Sequence, residues 1–277
     1  MTESIKQGKS SPILFFVLTF TTSWIVWLPG VLVTFGILNI LLDDIIYVIL
    51  NVIGGACPTI VGLSLFYRDG GIMKIKEVLR SGISPWRVGK IWWVPLIVLI
   101  PVINATALLL GVLSGSPMPE LLMLQQWYLI PVLFIAGFIP FSNAFREEFG
   151  WRGYAIDGLQ TRWNALTTSI LIGLAWGLWH LPLRYFPGGV EIYANIPFWV
   201  FMLNTVTISI MMTWFYNNNQ GSIFTAVVFH VMLNISPSVF PFGQTDLGVY
   251  YNMVLNIVVA VLIVIFYGYR TMKRESN

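Results

Sequence analysis

The chain has 277 residues, of which 57% are hydrophobic and only 10% are charged, and its mean hydropathy is +0.78. This composition excludes an ordinary water-soluble globular domain and makes the lipid bilayer the expected environment. The net charge of +3 and the pI near 9.0 do not indicate a nucleic-acid partner, because basic residues in a membrane protein usually mark its cytoplasmic face.

Apolar segments long enough to cross a bilayer occur along the whole chain. A membrane helix needs roughly 20 mostly apolar residues, because its backbone polar groups must be bonded within the segment. In chain order the candidate spans are 12–36, 45–67, 91–114, 121–147, 165–182, 197–216, 222–236 and 248–269. No repeat or linker divides them, so the sequence predicts one all-α integral membrane domain over residues 1–277, a single bundle of about eight transmembrane helices.

The charged residues between these spans predict the orientation of the chain. With a cytoplasmic amino terminus, the basic residues of one side are Lys6, Lys9, Arg68, Lys74, Lys76, Arg80, Arg87, Lys90, Arg162, Arg270, Lys273 and Arg274. The opposite loops hold Asp43, Asp44, Glu120, Glu191 and Asp246, with Arg184 as the sole basic residue. The positive-inside rule therefore predicts that both termini are cytoplasmic. Residues 72–83 suit a short helix on the cytoplasmic lipid surface or, equally, a solvated connector.

Ionisable residues inside apolar segments are candidates for function, because each costs several kcal/mol to insert into a bilayer. The only two histidines, His180 and His230, both lie in apolar spans. The stretch 146–152 carries four charged residues at the end of another apolar segment, namely Arg146, Glu147, Glu148 and Arg152. These groups form the strongest functional signal in the sequence.

Helical geometry assigns partners among these residues. Glu148 and Arg152 are four residues apart and share a helix face, so they are predicted to form an ion pair. Adjacent residues point about 100° apart, which predicts that Glu147 faces a different cavity from Glu148. His230 and Asn234 are also four residues apart and are expected to meet the same ligand atom.

A comparison of depths indicates that these groups can converge. If the chain turns near Asn164, Glu147 and His180 lie roughly 20 to 25 Å from the turn on antiparallel helices. His230 lies ~14 Å beyond the turn at 217–221, so the preceding hairpin must project ~10 Å into the cytoplasm for the levels to match. The sequence therefore predicts a buried site in a cavity that opens to the cytoplasm.

Three blocks of sequence together resemble one known family. EEFGWRG at 147–153 resembles its EExxxRG motif, WGLWHLP at 176–182 its FxxxH motif, and HVMLN at 230–234 its HxxxN motif. The family is CPBP, which comprises the type 2 CAAX prenyl endopeptidases and the Abi-type bacteriocin-processing and immunity proteins. The resemblance covers about residues 121–236, and Trp176 stands where the motif has phenylalanine, which we interpret as a change between two packing residues.

The resemblance implies an eight-helix intramembrane endopeptidase that hydrolyses peptide bonds and whose cavity opens to the cytosol. It implies that Glu147 activates a water as general base and that His180 positions this water. It further implies that His230 and Asn234 stabilise the oxyanion, with Glu148 and Arg152 as a supporting pair. The implied substrates are peptides or membrane proteins, with prenylated CAAX tails among the candidates, and the compact loops favour a bacterial cell membrane as the location.

Alternatives remain open at this point. Glu147, His180 and His230 could instead hold a zinc ion with water as the fourth ligand, although no HExxH spacing is present and we expect no cofactor to be required. Titratable groups at this depth also suit a proton-coupled transporter, which the absence of a pseudo-repeat disfavours. A bacteriocin-immunity protein that acts by binding alone is the remaining alternative.

Overall fold

The computed structural model describes residues 11–40, 43–139, 142–187 and 196–274, and every regular element within these ranges is helical. Lys6, Lys9 and Glu191, which entered the predictions above, lie outside the described residues. The helices are α1 Pro12–Thr34, α2 Asp44–Gly82, α3 Trp93–Leu113, α4 Leu122–Gln125, α5 Leu129–Ala136, α6 Asn143–Glu148, α7 Ile156–Gln160, α8 Ala165–Trp179, α9 Phe198–Asn218, α10 Ile223–Val239 and α11 Gly248–Tyr267.

The described residues contain six helices long and apolar enough to cross a bilayer, which confirms the prediction of an all-α, multi-pass membrane protein but not the count of eight. The six are α1, α2, α3, α8, α9 and α11, together with short flanking turns. The seventh predicted span is α10, which is apolar but shorter, at 17 residues.

The predicted span at 121–147 is not one helix. It is divided into α4, α5 and α6, because α5 ends at Ala136 with Gly137 as its cap and a new helix starts after Ser142. Pro131 lies in the first turn of α5, where the missing N–H of proline costs no helical hydrogen bond. Glu147 is thus carried by a short helix that begins only four residues before it.

Helix α2 changes direction at Gly71, whose φ of 65° and ψ of −163° are not helical. This backbone conformation is essentially restricted to glycine, because a Cβ atom would clash. The residues after the break continue as a helix to Gly82, so the short helix predicted at 72–83 is present. Its contact with a lipid surface stays a prediction.

Helix α10 lies at the centre of the bundle and belongs to two hydrophobic cores. Ile223, Val227, Val231 and Ile235 recur every four residues and pack into the first core, with residues of α1, α2 and α8. Phe229 and Met232 pack into the second core with residues of α3, α9 and α11. A helix that is apolar on both sides is buried all round, and His230 is therefore surrounded by protein.

The segment between α6 and α7, Phe149–Ala155, is π-helical and crosses α2 at close range. A Cβ atom at Gly150 would collide with the carbonyl oxygen of Pro58, and one at Gly62 would lie 3.1 Å from the Cα atom of Gly150. Two glycines therefore allow the two backbones to touch, and this contact fixes the position of the adjoining glutamates against α2.

The loops that carry the basic residues meet at one end of the bundle. The amide N–H of Ala165 donates to the carbonyl of Arg270 over 2.8 Å, and the side chain of Asn217 donates to the carbonyl of Thr271 over 2.8 Å. Ser81, after the break in α2, accepts from the amide of Ile223 over 3.4 Å. This grouping agrees with the basic side of the predicted topology, while its cytoplasmic location stays a prediction.

A chain of neutral polar side chains, four amides and one hydroxyl, connects four helices, and we call it the amide chain. It consists of Asn104 in α3, Asn204 in α9, Ser236 in α10, and Asn252 and Asn256 in α11. Asn104 donates to Ser236 over 2.9 Å, Asn252 donates to Asn104 over 2.8 Å, and Asn256 donates to Asn252 over 2.9 Å and to Asn204 over 3.1 Å. Hydrogen bonds between helices stabilise packing where water is absent.

Candidate active site

The ionisable residues singled out in the sequence come from three parts of the fold. Helix α6 and the π-helical segment carry Glu147, Glu148 and Arg152, the end of α8 carries His180, and the middle of α10 carries His230. All five side chains are buried, with Glu148 and Arg152 at 0% exposure. We call these five residues the ionisable cluster.

Glu147 is held by an indole group from the opposite helix. Trp176 Nε1 donates a hydrogen bond to Glu147 Oε2 over 2.7 Å, and the carboxylate is close enough to both His180 and His230 to interact with them electrostatically. The turn between the two antiparallel segments is where the sequence predicted it, because Asn164 caps α8 by accepting from the amide of Thr167 over 2.8 Å. The expected convergence of Glu147 with the two imidazoles is therefore present in the structure.

Glu148 forms the predicted ion pair with Arg152, at 3.2 Å between Oε2 and Nη1, and both side chains are fully buried. It also contacts His230, whose Nδ1 lies 2.7 Å from Glu148 Oε1. The two neighbouring carboxylates thus have different hydrogen-bond partners, Trp176 for Glu147 and both Arg152 and His230 for Glu148. That Glu147 and Glu148 face different cavities stays a prediction.

His180 follows the last residue of α8, and its ring is fixed by a backbone group. Nδ1 lies 2.8 Å from the carbonyl oxygen of Trp176. A carbonyl oxygen can only accept, so this contact requires a proton on Nδ1 and, in the neutral ring, leaves the lone pair on Nε2. His180 is thereby arranged to accept a hydrogen bond through Nε2.

Trp176 is the residue at this site whose importance we did not predict from the sequence. Its ring contacts both imidazoles, with centroid distances of 5.6 Å to His180 and 5.6 Å to His230, and Arg152 lies over it at 5.1 Å. We had interpreted it as a packing residue equivalent to phenylalanine. The signal that could have identified it is the indole N–H, which phenylalanine lacks and which a buried tryptophan usually donates to a partner.

Asn234 lies one helical turn beyond His230, and its side chain is exposed where those of the ionisable cluster are buried. No contact joins it to Glu147 or to either imidazole among the described residues. The structure therefore brings five of the six predicted residues together and leaves the sixth at an open edge beside them. The role of Asn234 in binding an oxyanion stays a prediction.

The described residues do not present three His, Cys, Asp or Glu side chains arranged to hold a metal ion. In the ionisable cluster, Nδ1 of His180 contacts a carbonyl and Nδ1 of His230 contacts Glu148, so only Nε2 of each ring could serve as a ligand. Histidines that bind zinc through Nε2 commonly have Nδ1 engaged in this way, so the zinc set of Glu147, His180 and His230 stays an alternative. Whether the activity needs a metal stays a question for experiment.

Comparisons with known proteins agree with the motifs. Residues 125–236 match the family described as type II CAAX prenyl endopeptidase Rce1-like. The chain is also 28% identical over 269 residues to CAAX prenyl protease 2 of Methanococcus maripaludis, an alignment that covers 94% of this chain and 95% of that protein. Both findings confirm the resemblance predicted from the three motifs, and the matched region contains every residue of the ionisable cluster.

Proposed function

We propose that this chain is an integral-membrane endopeptidase that hydrolyses peptide bonds of membrane-associated substrates, with prenylated CAAX tails as the first candidates. The observation that carries the proposal is the buried carboxylate of Glu147, held by an indole N–H beside two imidazoles from different helices. The family match and the name of the similar archaeal protein support the substrate class.

Glu147 is the proposed general base. It removes a proton from a water molecule, the resulting hydroxide attacks the carbonyl carbon of the scissile peptide, and the carbonyl oxygen becomes an oxyanion. The same carboxyl then gives its proton to the leaving amine as the C–N bond breaks, which yields a free carboxylate and a free amine. His180 supports the first step because its Nε2 lone pair can accept the second proton of the water in a hydrogen bond.

His230 and Asn234 are the proposed donors to the oxyanion. A donor at Nε2 of His230 requires that both ring nitrogens carry a proton, because Nδ1 is engaged with Glu148. The Glu148 carboxylate is the charge partner that such an imidazolium needs, and the same carboxylate is paired with Arg152. Donors aimed at a developing charge are most effective where water is excluded, and His230 is 4% exposed.

We also propose that the end of the bundle that carries the basic loops faces the cytoplasm, with both termini on that side. Prenylated tails of cytosolic proteins reach the bilayer from this side.

The test is cleavage by the purified full-length protein in detergent of matched farnesylated and unmodified peptides. We expect the wild type to cleave the farnesylated peptide and Glu147→Gln to be inactive. Glu120→Gln, which removes an exposed carboxylate far from the ionisable cluster, is the matched control and should cleave as the wild type does. Cleavage that survives Glu147→Gln would refute the assigned base.

Two further outcomes separate the alternatives. Activity that persists after exhaustive chelation, and that does not rise when zinc is added back, would decide against the metal mechanism. A wild-type protein that cleaves neither peptide while Glu147→Ala retains its biological effect would favour an immunity protein that acts by binding.

A further inference from the structure

The hydrogen bond between Trp176 and Glu147 occurs at a position where the family motif has a residue that cannot make it. In the FxxxH motif the first residue is phenylalanine, and in this chain it is Trp176, whose Nε1 lies 2.7 Å from Glu147 Oε2. The indole is 6% exposed. The contact is therefore a property of this chain's own residues and does not follow from the motif.

The hydrogen bond restrains the carboxylate in one orientation. With Oε2 engaged by the indole, Oε1 is the oxygen that can take a proton from a water molecule. The ring that carries the donor is itself fixed, because it contacts His180 and His230 edge to face and lies beneath the guanidinium of Arg152. Trp176 thus fixes the position of Glu147 relative to the other residues of the ionisable cluster.

We propose that Trp176 is a positioning residue for the general base, one that orients Glu147 toward the water it activates. This inference deepens the proposed function and rests on it. Trp176 contacts the base and not the reacting atoms, so its effect is expected in kcat, with little effect on KM.

The first experiment is Trp176→Phe, which installs the residue of the family motif and removes the N–H. We expect kcat to fall about 10-fold with KM within twofold of wild type, because the carboxylate loses the donor that fixes its orientation.

The matched control is Trp151→Phe. Trp151 is also completely buried, and its indole nitrogen has no hydrogen-bond partner among the described residues. The substitution removes the same atoms from the core without removing a bond to Glu147. An equal fall of kcat in both variants would overturn the proposal, because the effect would then come from packing.

A second substitution keeps the test decisive if Trp176→Phe does not fold. Replacement of Trp176 by benzothienylalanine, introduced by nonsense suppression, keeps the bicyclic ring and exchanges only the N–H for sulfur. The same fall in kcat is expected. An unchanged kcat, or a change confined to KM, would refute the role of Trp176 while leaving Glu147 as the base. Cleavage by Glu147→Gln would instead refute the proposed function itself.

Discussion

Two groups of buried polar residues lie in this bundle, and they differ in what their hydrogen bonds can do. The amide chain connects α3, α9, α10 and α11 through groups that neither gain nor lose a proton, whereas the ionisable cluster combines two carboxylates, two imidazoles and a guanidinium. Helix α10 contributes to both, through Ser236 and His230. We infer that the amide chain maintains the packing of helices and that the ionisable cluster moves protons, at the cost of burying charge.

The largest effect is expected from Arg152→Met, which leaves the fully buried Glu148 without its guanidinium. We expect a loss of about 3 to 5 kcal/mol in the free energy of unfolding, because an uncompensated charge remains in the interior. Unfolding in detergent, followed by circular dichroism, measures it. The double variant Arg152→Met/Glu148→Gln should recover most of the loss, and Arg162→Met, an exposed site in the same hairpin, should show none. Without recovery in the double variant, charge burial would not be the cause.

The next prediction distinguishes the ionisable cluster from the amide chain through one residue of each on α10. His230→Gln should lower kcat about 10²- to 10³-fold, since it removes the proposed donor to the oxyanion. Ser236→Ala, two turns along α10, should leave kcat within twofold of wild type. Cleavage assays on both proteins, at a temperature where both are folded, make the comparison. Similar losses of kcat in both variants would mean that the two groups do not have separate roles.

A smaller effect is expected in the amide chain itself. Asn252→Leu removes the amide that bonds to both Asn104 and Asn256. We expect the free energy of unfolding to fall by about 1 to 2 kcal/mol, the upper range for hydrogen bonds between membrane helices. The kcat of the folded protein should not change. Asn39→Leu, at an exposed position, is the control. A variant as stable as the wild type would show that the amide chain adds nothing to packing.

The smallest effect concerns Asp157, which lies in α7, outside the candidate spans. Burial raises the pKa of this carboxyl above 3.8, partly offset by the hydrogen bond that Tyr216 donates to it over 2.9 Å. A raised pKa in the folded state means that stability is highest at low pH and is lost as pH rises from 3.8 through the raised pKa.

Asp157→Asn should remove that loss and be more stable than the wild type near pH 8 by about 1 kcal/mol. Its side-chain oxygen can still accept from Tyr216. Thermal unfolding of both proteins at pH 5 and pH 8 tests this, and the difference in Tm between variant and wild type should be larger at pH 8. A difference in Tm that does not grow with pH would contradict burial of the charged carboxylate as the cause.

The sequence predicted the parts of this molecule that depend on local pattern. Apolar length predicted the long helices, and the spacing of Glu148 and Arg152 predicted their ion pair. It did not predict that Glu148 also contacts His230, because that contact depends on how α10 is seated between two cores. The division of 121–147 into short helices was missed as well, since apolar composition alone does not locate a helix end.

The indole bond of Trp176 could not be read from the motif, because a pattern records that a position is aromatic and not which atom points at a neighbour. The exposure of Asn234 was missed for a related reason. Two residues on one helix face share a direction, but only the surrounding helices decide which of them is covered.

At Gly62 and Gly150 the backbone of α2 touches the π-helical segment, so residues far away in sequence set the position of the site. A methyl group at residue 150 would push the two backbones apart and tilt the segment that carries the glutamates away from α8. We expect this substitution to abolish activity without changing any residue of the ionisable cluster.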